Sequence, residues 1–389
     1  MTRSLRVLHC PANIGGHAQG LAAAERALGL NSRTVEFRPG RFGFETDEQL
    51  WTAADSRWTR EKKRWRFIRR VFRAFDVVHL NFGQTLLPQR ERTDDSADDP
   101  RSTLSRWIAR LYGVIFEQRD LGWLKRRGIG VVMTYQGNDA RQGDICRDRF
   151  EISAADHAPH AYTPESDRRK RLQIATVGRY ADQIFALNPD LLHVLPKDAA
   201  FLPYANLDVH AARRVAPPLA DGRPPVVLHA PTNRAMKGTQ FLVDAVERLR
   251  REGVEFEFQL VENLSHAEAQ RLYERADLLV DQLLVGWYGG LALELMALGR
   301  PVICYVRESD LTCLPTAMRG ELPIVNATPK SIYDVLKEWL TVRRVELPRQ
   351  GALSRQFAER WHDPASIAKR TAALYERIAA ARPTERRAA

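Results

Sequence analysis

The chain has 389 residues, with 59 lysines and arginines against 48 aspartates and glutamates and a formal net charge of +11. A hydrophobic content of 44% beside 28% charged residues excludes a disordered or fibrous chain and suits two domains of ordinary size. No run approaches the ~18 apolar residues of a membrane span, the four cysteines (Cys10, Cys146, Cys304, Cys313) lack metal-ligand spacing, and the positive balance predicts an anionic partner.

The N-terminus passes through one basic turn into an apolar run, residues 5–10, which reads as a cytosolic chain without a signal peptide. A turn ending in Gly15 and Gly16, an Ala/Leu-rich helix to about Gly29 and a strand at 32–37 then make a Rossmann-like unit. The turn is not GxGxxG, and Gly15-Gly16 alone also suits a plain tight turn. Residues 56–74 have the most unusual composition. Arg57, Arg60, Lys62, Lys63, Arg64, Arg66, Arg69, Arg70 and Arg73 stand against Glu61 alone, while Trp58, Trp65, Ile68 and Phe72 recur at helical spacing. Such a helix predicts contact with an anionic membrane surface or acceptor through Arg57, Trp58, Lys62, Trp65, Arg66 and Arg69. The alternative is an aromatic stripe packed on a sheet with solvated arginines.

Residues 76–80 read as a buried strand, and His79 near its end is a candidate for the acceptor crevice or an ordinary core histidine. The aspartates of 90–101 lie in a polar loop with no strand to deliver them, so no metal is expected there. Residues 104–127 read as one amphipathic covering helix. The strand 130–135 delivers Gln136, Gly137, Asn138, Asp139 and Arg141, with an Asp139–Arg141 structural pair as the plain alternative to a binding role. A helix from 168, a strand at 183–187 and a helix start at Asn188 and Pro189 follow. A proline-rich linker at 216–225 then separates the halves.

The second half opens on the strand 225–230. Arg234, Lys237 and Gly238 follow at a strand-to-helix turn, a compact cationic pocket for a diphosphate. Strands at 257–261, ending near Glu262, and at 278–283, with Asp281 inside, lead to the stretch that organises the chain. There Gly286, Gly289 and Gly290 form a loop, Leu291 and Glu294 lie on the helix behind it, Gly299 stops that helix, and Pro301-Val302 starts a strand. Glycines let the backbone approach a ligand, the helix start offers N–H groups to a phosphate, and Glu294 can accept from vicinal sugar hydroxyls. A strand at 301–305, a helix from 329 to about 340 and a final helix at 357–381 complete the pattern.

The stretch 285–302 resembles the nucleotide-sugar signature of GT-B glycosyltransferases of the family 4 type. Its usual form is Glu-Gly-Phe-Gly, four residues, then Glu-Ala-Met-Ala-x-Gly-x-Pro-Val. Glu294 falls on the second glutamate, Tyr288-Gly289 on Phe-Gly, and Met296-Ala297, Gly299 and Pro301-Val302 on the tail. Gly286 replaces the first glutamate, which in the family faces the donor sugar, and Gln136 replaces a histidine that neighbours it. The resemblance implies a GT-B fold of two doubly wound Rossmann-like α/β domains facing across a cleft. Residues 1–208, completed by a C-terminal helix from about 365, form the acceptor domain, and 209–364 the donor domain. It further implies a retaining, metal-independent glycosyltransferase with a nucleotide-diphosphate sugar as co-substrate, no other cofactor, and a glycan or lipid-linked acceptor. Lys237 and Arg234 would neutralise the leaving diphosphate with the amides of Gly289 and Gly290. Glu294 would hold the ribose, Glu262 would lie near the base, Gly15 and Gly16 near the phosphates, and Gln136, Asp139 and His79 at the sugar and acceptor end. Two alternatives stand beside it, a nucleotide-sugar epimerase on the same fold and a catalytically silent nucleotide-sugar-binding subunit. Nucleic-acid binding ranks last, since one basic helix carries the charge.

Overall fold

The apolar runs become two sheets of parallel strands in a computed structural model that describes residues 4–40, 43–89, 111–212, 219 and 223–381. The first sheet has the order β3-β2-β1-β4-β5-β6-β7. Its strands are β1 (Arg6–Cys10), β2 (Asn31–Glu36), β3 (Glu48–Gln49), β4 (Val77–Asn81), β5 (Gly130–Tyr135), β6 (Gln183–Ala186) and β7 (Ala200–Phe201). The second, of order β12-β11-β10-β8-β9, contains β8 (Val226–His229), β9 (Glu257–Leu260), β10 (Leu278–Val280), β11 (Val302–Cys304) and β12 (Val325–Asn326). Strands buried on both faces read as continuous apolar runs, and Val7, Leu8, Val77, Val78, Val131 and Val132 have almost no exposed surface. The two-domain α/β architecture expected from the sequence is the one found.

Several boundaries differ. The helix expected over 104–127 is interrupted: residues 111–116 are helical, Gln118 has a φ of 58°, and a new helix runs Arg119–Arg126. Its start at 104–110, the loop 90–101 and most of the linker 216–225 lie outside the described residues. The final helix is two, Leu347–Trp361 and Pro364–Ala380, because Asp363 caps the second by accepting from the N–H groups of Ala365 and Ser366. The second returns to the first sheet, where Thr371 Oγ1 (2.9 Å) and Tyr375 OH (3.0 Å) donate to Glu25 Oε1. Glu25 Oε2 also bonds His9 Nε2 at 2.8 Å and accepts from Ser32 Oγ at 2.7 Å. Burial pushes the Glu25 carboxyl up, but His9 and these hydrogen bonds outweigh it and hold the group below its ordinary range.

The basic helix, Arg57–Ala74, is capped by Ser56 and buries Arg64, Phe67, Ile68 and Val71. Its aromatic stripe divides, which corrects the reading of Trp65 as a surface residue. Trp65 packs on Phe116 and Trp123 and donates to Tyr112 OH at 3.1 Å, whereas Trp58, in the first turn, is 80% exposed. Arg57 is exposed, and Trp58, Lys62, Arg66, Arg69 and Arg73 form one exposed stripe at helical spacing.

Candidate functional site

In the second sheet the strand order reverses between β8 and β10, and ligands of open α/β sheets bind outside the carboxyl ends at such a point. Beyond β8 the chain makes a one-turn helix, Arg234–Lys237, whose Asn233 cap accepts from Met236 N–H and which ends on Gly238 at φ 74°. Beyond β10 comes Asp281, at the strand's end and not inside it as expected. Its Oδ1 accepts from Lys237 Nζ at 2.7 Å and its Oδ2 from Gly289 N–H at 2.7 Å. Two groups predicted to meet phosphate therefore converge on one carboxylate. Asp281 is fully buried, while Lys237 retains 14% exposure. Sequence reading missed this role, although an acid closing an apolar strand was the available signal.

Gly289 caps the helix Gly290–Ala297 without a side-chain bond to its first turn. Glu294 lies on that helix, and its Oε2 bonds His266 Nε2 at 2.8 Å. The hydrogen bond that His266 donates to Glu294 raises the His266 pKa against the opposing effect of burial. His266 is the first residue of the helix His266–Arg275, fixed in place by the Ser265–Glu268 capping box. Leu291 is half-buried in the same turn as Gly290. Arg234 is more than half exposed and reaches Glu262 at 3.6 Å.

The first domain meets this surface with its own glycine turn. Gly15 (φ 61°) and Gly16 (φ 75°) occupy left-handed conformations suited to glycine. A Cβ on Gly16 would lie 3.1 Å from the Phe44 ring and 3.3 Å from Asn206 O, while one on Gly290 would lie 3.4 Å from Asn206 Nδ2. Asn206 thus sits between the two glycine turns, with its Oδ1 buried and unpartnered among the described residues. The Phe44 ring lies 4.5 Å, centroid to centroid, from that of His266.

The turn after β5 is built around Asp139, which accepts from the backbone N–H groups of Gln136 and Gly137. Burial raises the Asp139 carboxyl to about 6 despite these bonds. The Gln136 side-chain Nε2 is buried without a partner among the described residues. Arg141 does not pair with Asp139; it binds Asp190 through Nε (2.5 Å) and Nη2 (3.1 Å). Asn138 Nδ2 reaches Met236 Sδ at 3.1 Å, so this turn touches the Arg234–Lys237 turn across the domain boundary. His79 is corrected to a core residue. It is fully buried, its Nδ1 bonds Tyr375 OH and its Nε2 bonds Thr134 Oγ1, both at 2.6 Å. In the first sheet the order reverses between β1 and β4, so a crevice is expected outside the carboxyl ends of those strands, while His79 packs inward and is bonded to the returning C-terminal helix through Tyr375.

At Gly286 (φ 90°) a Cβ would lie 2.6 Å from Arg307 Nη1. Arg307 fills this space with its guanidinium stacked 3.5 Å from the Phe150 ring centroid, paired with Asp310 at 2.7 Å and donating to Ile152 O of the first domain. Around it Cys146, Ala154, Ala155, Tyr162, Leu284 and Val285 form an apolar contact between the domains. The cavity that remains there, about 10 Å³, is no larger than one water needs.

The sequence matches no family model and no curated protein. Its fold is similar to that of sucrose-phosphate synthase from Thermosynechococcus elongatus, with a TM-score of 0.60 and 16% identity over 98% of this chain and 100% of that one. Anabaena Alr3699/HepE in complex with UDP-glucose gives 0.57 and 10% identity over 96% and 100%. A Listeria monocytogenes protein assigned as a UDP-N-acetylglucosamine 2-epimerase gives 0.50 and 11% over 97% of each chain. With its two parallel sheets, its crevices and these neighbours, the chain has the GT-B fold of glycosyltransferases and nucleotide-sugar epimerases.

Proposed function

We propose that the chain is a glycosyltransferase that takes a nucleotide-diphosphate sugar in the cleft between its domains. The observation that carries this reading is the convergence of Lys237 Nζ and Gly289 N–H on a single carboxylate at the β8/β10 switch point, with Glu294 close behind. A diphosphate suits the place that Asp281 takes, since its oxygens accept the same two donors with more charge. Glu294 then receives the ribose hydroxyls, and Arg234, beside Glu262, adds a second cation at the rim. The reaction breaks the bond between the anomeric carbon and the diphosphate oxygen, with Lys237 and the Gly289 and Gly290 amides stabilising the charge that develops. An acceptor hydroxyl adds on the same face, giving retention, and its proton passes to the departing phosphate oxygen. Gln136 and Asp139 line the sugar and acceptor end.

The acceptor domain carries the outward stripe Trp58, Lys62, Arg66, Arg69 and Arg73, a face suited to an anionic surface such as that bearing a lipid-linked acceptor. No helix among the described residues is long and apolar enough to cross a membrane.

A second reading, a nucleotide-sugar-binding subunit without turnover, is favoured by Arg307 standing where a side chain at 286 would begin. Incubation with UDP-, ADP- and GDP-sugars, with and without glycan and lipid acceptors, separates the cases. Transfer lost in Lys237→Ala supports the proposal, donor interconversion without acceptor marks an epimerase, and binding without turnover marks the silent subunit. Absence of any nucleotide binding refutes all three.

A further inference from the structure

We infer that His266 is a positioning residue for the ribose of the donor, and that Phe44 of the opposite domain holds it in place, so that ribose recognition is completed by both domains. The inference rests on the nucleotide-sugar reading above. A carboxylate that accepts from two vicinal hydroxyls must have a fixed plane, yet nothing in a glutamate's terminal torsion fixes it. Here the His266 ring, 2.8 Å from Glu294 Oε2, does so. His266 is itself held from two sides. Its backbone starts a helix whose first turn is locked by the Ser265–Glu268 box, and its ring meets Phe44, tilted by 40°.

Phe44 can approach because Gly16 has no side chain: a Cβ there would lie 3.1 Å from the ring. One glycine of the first-domain turn therefore seats the aromatic that braces the second-domain carboxylate. The chain Gly16–Phe44–His266–Glu294 runs from one domain to the other, so separating the domains removes the brace from the carboxylate.

The test uses the full chain and calorimetric titration with UDP, ADP and GDP, each against its 2′-deoxy form. Wild type should prefer the ribonucleotide. In His266→Phe the ribonucleotide should weaken about tenfold, the loss of one oriented charged hydrogen bond, while the 2′-deoxy form is unchanged and the preference collapses. His266→Gln, which keeps an N–H donor, should retain part of the preference. Phe44→Ala should reduce it and Phe44→Tyr restore it. An unchanged preference in His266→Phe, or an equal fall for both sugars, overturns the inference and leaves the nucleotide reading standing. Failure of wild type to bind any of the six nucleotides overturns both.

Discussion

The Lys237–Asp281 pair separates two roles that a single substitution would confuse. Asp281 is completely buried and Lys237 nearly so, hence neither charge is indifferent to loss of its partner. Breaking a buried pair from one side costs about 3–5 kcal/mol, because the survivor keeps its desolvation penalty. Lys237→Ala leaves Asp281 with only Gly289 N–H and should cost about 3 kcal/mol, the low end, since that bond survives. Asp281→Ala leaves a lysine that can turn toward water and should cost about 1–2 kcal/mol. The double variant should cost less than the sum. Nucleotide binding should move differently. A charged hydrogen bond contributes about 1.5–3 kcal/mol, so Lys237→Ala should weaken a nucleoside diphosphate by about 10- to 150-fold. Asp281→Ala removes a competing carboxylate and should bind as well as wild type or better. Urea denaturation gives the stabilities, and calorimetry on the folded variants gives the affinities. If Asp281→Ala weakens binding as much as Lys237→Ala does, Asp281 orients the lysine and does not stand in for phosphate, and the reasoning fails.

Gly286→Glu, which would restore the glutamate of the resembled signature, should destabilise the chain by about 2–4 kcal/mol through its positive φ and the overlap with Arg307, and should yield no gain of transfer, read by chemical denaturation and donor turnover. Gly286→Glu combined with Arg307→Ala should recover part of that stability. The His266 pKa is raised in the folded chain, so the stability it contributes is fully present below its unfolded value of 6.5 and is lost as the pH rises through the folded value. Thermal melting of wild type should therefore fall relative to Glu294→Gln as pH rises across that window, and parallel curves would refute the coupling. Charge reversal of Lys62, Arg66 and Arg69 should abolish co-sedimentation with anionic but not neutral vesicles and leave melting unchanged, as expected of side chains on an exposed face. Equal sedimentation of wild type with both vesicle types would remove the membrane surface as a partner.

What was legible in the sequence follows from locality. Strands of a parallel sheet are apolar throughout, so 5–10, 130–135 and 225–230 announce themselves, and each glycine turn is a feature of a few neighbouring residues. The roles that escaped are pairings across distance. Nothing near Gly286 tells that Arg307 fills its side-chain space, and nothing near Glu294 points to His266 or to Phe44 in the other domain. His79 was ambiguous because the end of a strand and its covered face are one residue apart in sequence. Trp58 and Trp65 share a helix face by spacing, but the neighbouring helical segment covers only the latter. Helical periodicity gives direction and says nothing of where the cover ends.

The long-range pairings share one consequence. Lys237 and Gly289 N–H are engaged by Asp281, Glu294 by His266, and the space at Gly286 by Arg307. A diphosphate at this site takes its donors from Asp281 and does not find them free, and each one it takes leaves that buried carboxylate its desolvation penalty, while the ribose adds to Glu294 beside the His266 bond. What then favours a ligand over the resident carboxylate is charge. A diphosphate presents several anionic oxygens to the lysine and the helix start, where Asp281 presents two that share one charge. A site built this way should discriminate by ligand charge, taking a nucleoside diphosphate in preference to a monophosphate and leaving neutral nucleosides in solution. Measuring the three affinities side by side checks it, and equal affinity for diphosphate and nucleoside would show that the base and ribose, not the anion site, dominate binding.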